Sequence, residues 1–237
     1  MSMKRKRVAV LISGRGSNMS ALIAASREAD FPATIVGVIS DREDAAGLRA
    51  AQAAGIATAV VERGGFADRN AHDAAIDAAL AGFGAEIVAL AGYMRLLGAA
   101  FVERWQGRMI NIHPSLLPGF KGLDTHRRAL EAGVRIHGCS VHFVTADMDG
   151  GPLIAQAAVA VLCDDTEDSL AARVLKAEHR LYPRALAMVC EGRARMEHGR
   201  TVIDPRGLVE RNGSDLLLSP ELGAETPDIE ALARFTP

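Results

Sequence analysis

The sequence predicts an α/β protein: a mostly parallel, twisted sheet with helices on both faces. Three observations predict it. Short apolar runs rich in β-branched residues alternate with helix-period segments between residues 8 and 113. The runs are nearly continuously apolar, as strands covered on both faces must be. The first run passes into the first helical segment through "SGRGSN", a glycine-rich junction that lets a strand turn sharply into a helix.

Taken in order, strands are expected at 8–13, 34–40, 58–61, 87–91 and 109–113. Helices are expected between them at 19–29, 45–54, 68–81 and 98–105. Such alternation calls for parallel strands joined by right-handed crossovers. After Pro114 the pattern changes. The loop "PSLLPGFKGLD" leads to a short helix at 125–132, and two strand-like runs follow at 138–144 and 153–161. The turn Met148-Asp149-Gly150-Gly151-Pro152 joins those runs. A long helix opens at Thr166 and is expected to end or kink before Pro183, which has no N–H to continue it. From Gly192 the chain reads as a hairpin, then as an acidic, Gly/Pro-punctuated end with a weak final helix. The expected organisation is one domain over 1–199 and a C-terminal extension over 200–237.

Composition narrows the function classes. A chain of 237 residues supports one good-sized core. Its net charge of −2 gives no general pull towards nucleic acid or an anionic membrane. The basic run Lys4-Arg5-Lys6-Arg7 reads as a solvated leader before the first strand rather than a nucleic-acid contact. No stretch is long enough to span a bilayer, and the apolar run 8–12 is too short for a signal-peptide core. Cys139, Cys163 and Cys190 are odd in number and widely spaced, which reads as buried thiols in a reducing, cytoplasmic setting.

The glycine turn admits three readings. Gly14 and Gly16 have the spacing of a dinucleotide-binding turn, and Asp41 ends the second strand about where such a fold places a ribose-binding acid. Met19, however, stands where the third glycine would be. Ser17 and Asn18 add a hydroxyl and an amide that suit one terminal phosphate and can cap the helix. A plain strand-to-helix turn is the third reading.

Chemistry-bearing residues gather in the second half. Asn111 and His113 lie two apart at the end of an expected strand, so both face one side, at the end where ligands of open α/β sheets bind. Asp149 sits in the Asp-Gly-Gly-Pro turn, either as a turn former or as a carboxylate that favours the His113 imidazolium and relays its proton. Asn111 would then donate to a carbonyl oxygen gaining charge, which makes a site for attack on a carbonyl without a covalent enzyme intermediate. Alternatively, Asn111 and His113 pair with backbone and only shape the loop. His142 either supports this site or is a satisfied sheet histidine. His137 and His142, five apart on one strand, face opposite sides, and with no H-E-x-x-H and no paired cysteines no metal is expected. Neither Ser17 nor Ser115 lies in G-x-S-x-G, which disfavours a serine hydrolase. Glu178 borders an apolar helix stripe of Leu170, Val174, Ala177 and Leu181; it reads as a partner for a hydroxyl-rich ligand or as a rim salt bridge.

"LISGRGSN", "LAGYMRLL", "NIHPSLLPGFKG", "HGCSVHFVTADMDGGPLIAQ" and "EHRLYP" occur together and in this order. With them the chain resembles the formyltransferases that use 10-formyltetrahydrofolate, from Val8 to about Met196, and within that group the branch acting on glycinamide ribonucleotide. The resemblance implies a Rossmann-like formyltransferase fold. It also implies transfer of a formyl group from folate N10 to the primary amine of glycinamide ribonucleotide in purine biosynthesis. His113 would stabilise and protonate the tetrahedral intermediate, Asn111 would bind the formyl oxygen, and Asp149 would support His113 and move the amine proton. The substrate phosphate would lie on Gly16, Ser17 and Asn18, and its ribose hydroxyls on Glu178. The folate would enter a cleft between Met94, Arg95, Leu96 and Leu97 on one side and Thr145, Ala146, Asp147, Met148 and Asp149 on the other, with Arg69 nearby. The expected partners are these small molecules, with no nucleic acid or membrane, and a homodimer is compatible with the resemblance. Hydrolysis of the same folate, and a non-catalytic mononucleotide-binding module, are the alternatives.

Overall fold

The computed structural model describes residues 5–204. A seven-stranded sheet carries the chain in the order β3-β2-β1-β4-β5-β6-β7. Strands β1 (Lys6–Ile12), β2 (Ala33–Ser40), β3 (Thr58–Val60), β4 (Ile87–Leu90) and β5 (Met109–His113) run parallel, and β6 (Ile136–Phe143) and β7 (Leu153–Ala160) are antiparallel additions beyond β5. Helices α1 (Ser17–Ala25), α2 (Ala46–Ala53), α3 (Arg69–Phe83) and α4 (Ala99–Arg104) form the crossovers. Helices α5 (Thr125–Glu131) and α6 (Glu167–Cys190) precede a two-stranded hairpin, β8 (Ala194–Glu197) with β9 (Arg200–Ile203).

The period of two along each strand explains why both faces are covered. On β1, Val8, Val10 and Ile12 join one apolar cluster with Leu22 of α1, Leu48 of α2 and Leu170 and Val174 of α6. The alternate residues Ala9 and Leu11 join a second cluster with Ile76 and Leu80 of α3 and Phe101 and Val102 of α4. A strand that must be apolar on both sides has no polar alternation, which is why these runs are legible in the sequence.

Most expected elements lie within a few residues of their observed bounds; four expectations are corrected. Helix α6 does not end before Pro183 but runs through it to Cys190. Its buried stripe continues past the proline with Ala185 and Leu186, and the fully buried Tyr182 hydroxyl lies 2.9 Å from the Leu90 carbonyl and 3.3 Å from that of Ile110. The Tyr182 contacts tie the helix to β4 and β5 next to the missing N–H. The basic run is not a solvated leader. Lys6 and Arg7 belong to β1, Lys6 pairs with Glu86 at 2.9 Å, and Arg5 and Arg7 donate to the carbonyls of Ala33 and Gly84; Lys4 lies outside the described residues. Of the three thiols only Cys139 is buried, Cys190 is half-buried and Cys163 is exposed. Helix α1 begins at Ser17 and stops at Ala25, because residues 26–29 offer no apolar face to the sheet.

The hairpin expected after Gly192 is present, and it straddles the expected boundary between 199 and 200. The expected final helix lies outside the described residues. No helix among the described residues is long and apolar enough to cross a membrane.

Candidate active site

The chain leaves β1 towards β2 on one side and returns to β4 on the other. This reversal opens a crevice beyond the carboxyl ends of β1 and β4. The glycine turn, the loop after β4 and the end of β5 all reach it.

The turn is built on glycine for a physical reason. Gly16 caps α1 in the left-handed region (φ 72°), and no side chain caps the helix, so its first N–H groups stay free. Gly47, at the start of α2, donates its N–H to Gly14 O at 3.0 Å. A Cβ on Gly47 would lie 3.1 Å from Gly16 Cα and 2.5 Å from Ile12 Cδ1, so the turn rests directly on this second glycine. Met19 is fully buried beneath Gly16. Its side chain fills the space that a third glycine would leave for a dinucleotide's close approach. Asn18 does not cap the helix; its Nδ2 donates to Glu178 Oε2 at 2.7 Å. Glu178 stands inside the buried stripe Leu170, Val174, Glu178, Tyr182, rather than on its border. Burial pushes the Glu178 carboxyl above its ordinary pKa, and the Asn18 bond partly offsets that. Asp41, the acid a dinucleotide fold would turn to a ribose, is spent elsewhere: its side chain is 1% exposed and pairs with Arg95 Nε at 2.6 Å.

Across the crevice the structure brings Asn111, His113 and Asp149 together. His113 Nε2 donates to the Phe120 carbonyl at 3.0 Å, so Nδ1 is the nitrogen left to face Asp149 Oδ2, 3.5 Å away. Asp149 Oδ2 also accepts the Gly122 N–H at 2.8 Å, while Oδ1 has no hydrogen-bond partner among the described residues. Asp149 adopts φ 50°, a left-handed conformation that costs an L-residue on the order of 1 kcal/mol and aims the carboxylate back over β5.

His142, opposite Asn111 in the β5–β6 register, orients the amide. Its Nδ1–H donates to the Phe143 carbonyl at 2.9 Å, which leaves Nε2 to accept from Asn111 Nδ2 at 3.2 Å. Burial holds the His142 imidazole below its ordinary pKa, in keeping with a neutral ring that accepts. One N–H of Asn111 is thereby fixed on His142, and the other remains for a ligand.

A cavity of about 670 Å³ opens beside these groups. Met94, Arg95, Leu96 and Leu97 line one side, and Thr145, Ala146, Asp147, Met148 and Asp149 another. Met94 and Leu96 are each 62% exposed and Met148 is 53% exposed, an apolar bed next to polar chemistry. Arg69 is exposed at the start of α3 and is not among the cavity-lining residues. The cavity also takes in Leu123 from the loop leading into α5 and His126 from the first turn of α5, neither of which stands out in the sequence. Their only sequence signal is the Pro/Gly richness of that loop. Gly47 was missed too, since a glycine inside an alanine-rich helical run gives no hint of the turn it supports. Among the described residues no group of three or more His, Cys, Asp or Glu is arranged to hold a metal ion.

Comparisons with known proteins bear on this geometry. The formyl transferase family profile matches residues 6–186. The chain is 44% identical over 201 residues to the phosphoribosylglycinamide formyltransferase of Escherichia coli (strain K12), covering 85% of this chain and 95% of that protein. It is 50% identical over 198 residues to the Bos taurus trifunctional purine biosynthetic protein adenosine-3, covering 83% of this chain; it spans a fifth or less of the length of such trifunctional relatives. The crystal structure of glycinamide ribonucleotide transformylase 1 from Symbiobacterium toebii superposes with a TM-score of 0.82 at 46% identity, over 84% of this chain and 94% of that one. A profile match over most of the chain, a relative covered over nearly its whole length at this identity, and a shared fold lead to one conclusion: this chain belongs to the formyl transferase family.

Proposed function

We propose that this chain transfers the formyl group of 10-formyltetrahydrofolate to the amine of 5'-phosphoribosylglycinamide, a step of purine biosynthesis. The observation that carries the reading is the convergence of Asn111, His113 and Asp149 beside a cavity of about 670 Å³, with a glycine turn and an uncapped helix start across the crevice.

The ribonucleotide phosphate sits on the free N–H groups of Gly16, Ser17 and Asn18, and Glu178 accepts from the ribose hydroxyls. The folate occupies the cavity against Met94, Leu96 and Met148, within reach of Arg95, Leu97 and the loop Thr145, Ala146 and Asp147. The amine attacks the formyl carbon, and the carbonyl oxygen gains negative charge. The free N–H of Asn111 and a proton on His113 Nδ1 stabilise that charge. Asp149 Oδ1 takes the proton released by the amine. As the C–N10 bond breaks, a proton returned through the Asp149–His113 pair reaches N10. The new N–C bond and the broken C–N10 bond balance with one proton moved from amine to N10, so no metal or redox partner is required.

Donor consumption measured with and without glycinamide ribonucleotide tests this reading. Formylated ribonucleotide should form one-to-one with deformylated folate, and only when the amine is present. Release of formate without the amine would favour hydrolysis, and nucleotide binding without turnover would favour a binding module.

A further inference from the structure

The loop after β4 carries one wall of the cavity, and its exposed apolar side chains cannot hold its shape. Three buried polar groups from three other elements do so. Met94 N–H donates to Ser13 Oγ at 2.8 Å, at the end of β1. Arg95 Nε donates to Asp41 Oδ2 at 2.6 Å, at the end of β2. Gly98 N–H donates to Asp73 Oδ2 at 2.7 Å, on the buried face of α3. Ser13, Asp41 and Asp73 are all buried.

Both carboxylates are held under strain of a chemical kind. Asp41 Oδ1 and Asp73 Oδ1 are buried without a hydrogen-bond partner, and so is the Tyr93 hydroxyl. Burial, with the charges of Asp41 and Asp73, raises the Tyr93 phenol well above its ordinary pKa, so it stays a neutral O–H. A half-satisfied buried carboxylate stabilises a fold less than an apolar residue of the same shape would. Its retention here is explained by what it holds. With Nε fixed on Asp41, the remaining Arg95 N–H groups are kept at the cavity wall, since Arg95 lines the cavity.

We infer that Asp41 is a positioning residue for the formyl donor: through Arg95 it holds the 92–98 loop in the shape that admits the donor, together with Asp73 and Ser13. This rests on the reading of the cavity as the donor site. Steady-state kinetics of Asp41→Ala, with both substrates varied, test it. The donor KM should rise about tenfold, with kcat and the ribonucleotide KM within about twofold of wild type. Asp41→Asn is isosteric and still accepts from Arg95, so it should fall between, at about threefold; it alone decides if Asp41→Ala does not fold. A lowered Tm with an unchanged donor KM, or equal losses for both substrates, would overturn the assignment. A wild-type enzyme with no saturable dependence on the folate donor would instead overturn the reading on which it rests.

Discussion

Asn18 and Glu178 stand 160 positions apart and meet through a 2.7 Å hydrogen bond between Nδ2 and Oε2. The bond joins the turn after β1 to the buried face of α6, so the groups proposed to hold the phosphate and the ribose of the ribonucleotide form one unit. Glu178→Gln keeps the shape and an acceptor for Asn18 but removes the charge. The ribonucleotide KM should rise about tenfold, with the donor KM unchanged.

The same variant should be more stable in the absence of ligand. Burial raises the Glu178 pKa above its unfolded value, so the folded protein binds more protons and loses stability as pH rises between the two values. At neutral pH the ionised carboxylate therefore costs folding free energy, and Gln removes that cost. Thermal unfolding at pH 7.5 should show a Tm higher by about 2 °C or more. A lower Tm would contradict the buried-charge account.

His142→Ala removes the acceptor that fixes Asn111. The amide then rotates freely and presents its N–H to the formyl oxygen only part of the time. The expected result is a kcat lower by about tenfold or more with both KM values little changed. Equal kcat values would show that Asn111 needs no orienting partner.

Acid sensitivity follows from the histidines around the site. Burial lowers the pKa of His126, His142 and His137, the last to about 4. The unfolded chain then binds more protons than the folded one as pH falls below the ordinary histidine range, so stability falls with pH. For His137 the loss reaches on the order of 3 kcal/mol by pH 4. Urea midpoints between pH 7 and pH 4.5 should decline, and His137→Gln should flatten the slope.

Gly47→Ala places a Cβ 2.5 Å from Ile12 Cδ1 and 3.1 Å from Gly16 Cα. The substitution should destabilise by about 1–3 kcal/mol and weaken ribonucleotide binding more than folate binding, as titration of each ligand would show.

How much of this was legible differs residue by residue. The strands of β1 and β4 are continuous apolar runs because both faces are covered, and Asn111 and His113 stand out because they interrupt such a run. Asp149 was legible as an acid in a Gly-rich turn, but its approach to His113 depends on the antiparallel turn back from β6. Asp41 stays open between readings in the sequence because a carboxylate at the end of β2 looks the same whether it faces a ribose or Arg95. Glu178 reads as bordering the stripe because an ionisable residue inside one goes against the usual rule, and only Asn18, far away in sequence, makes the exception intelligible. Pro183 reads as an end or a kink because the Tyr182 contacts that hold the helix beside it are tertiary.

The central claim is that Asn111, His113 and Asp149 carry out a direct transfer, and His113→Ala tests it most directly. Steady-state formyl transfer by a variant shown by circular dichroism to be folded should have a kcat lower by about 100-fold or more, with KM values near wild type. A kcat close to that of the wild type would contradict the account.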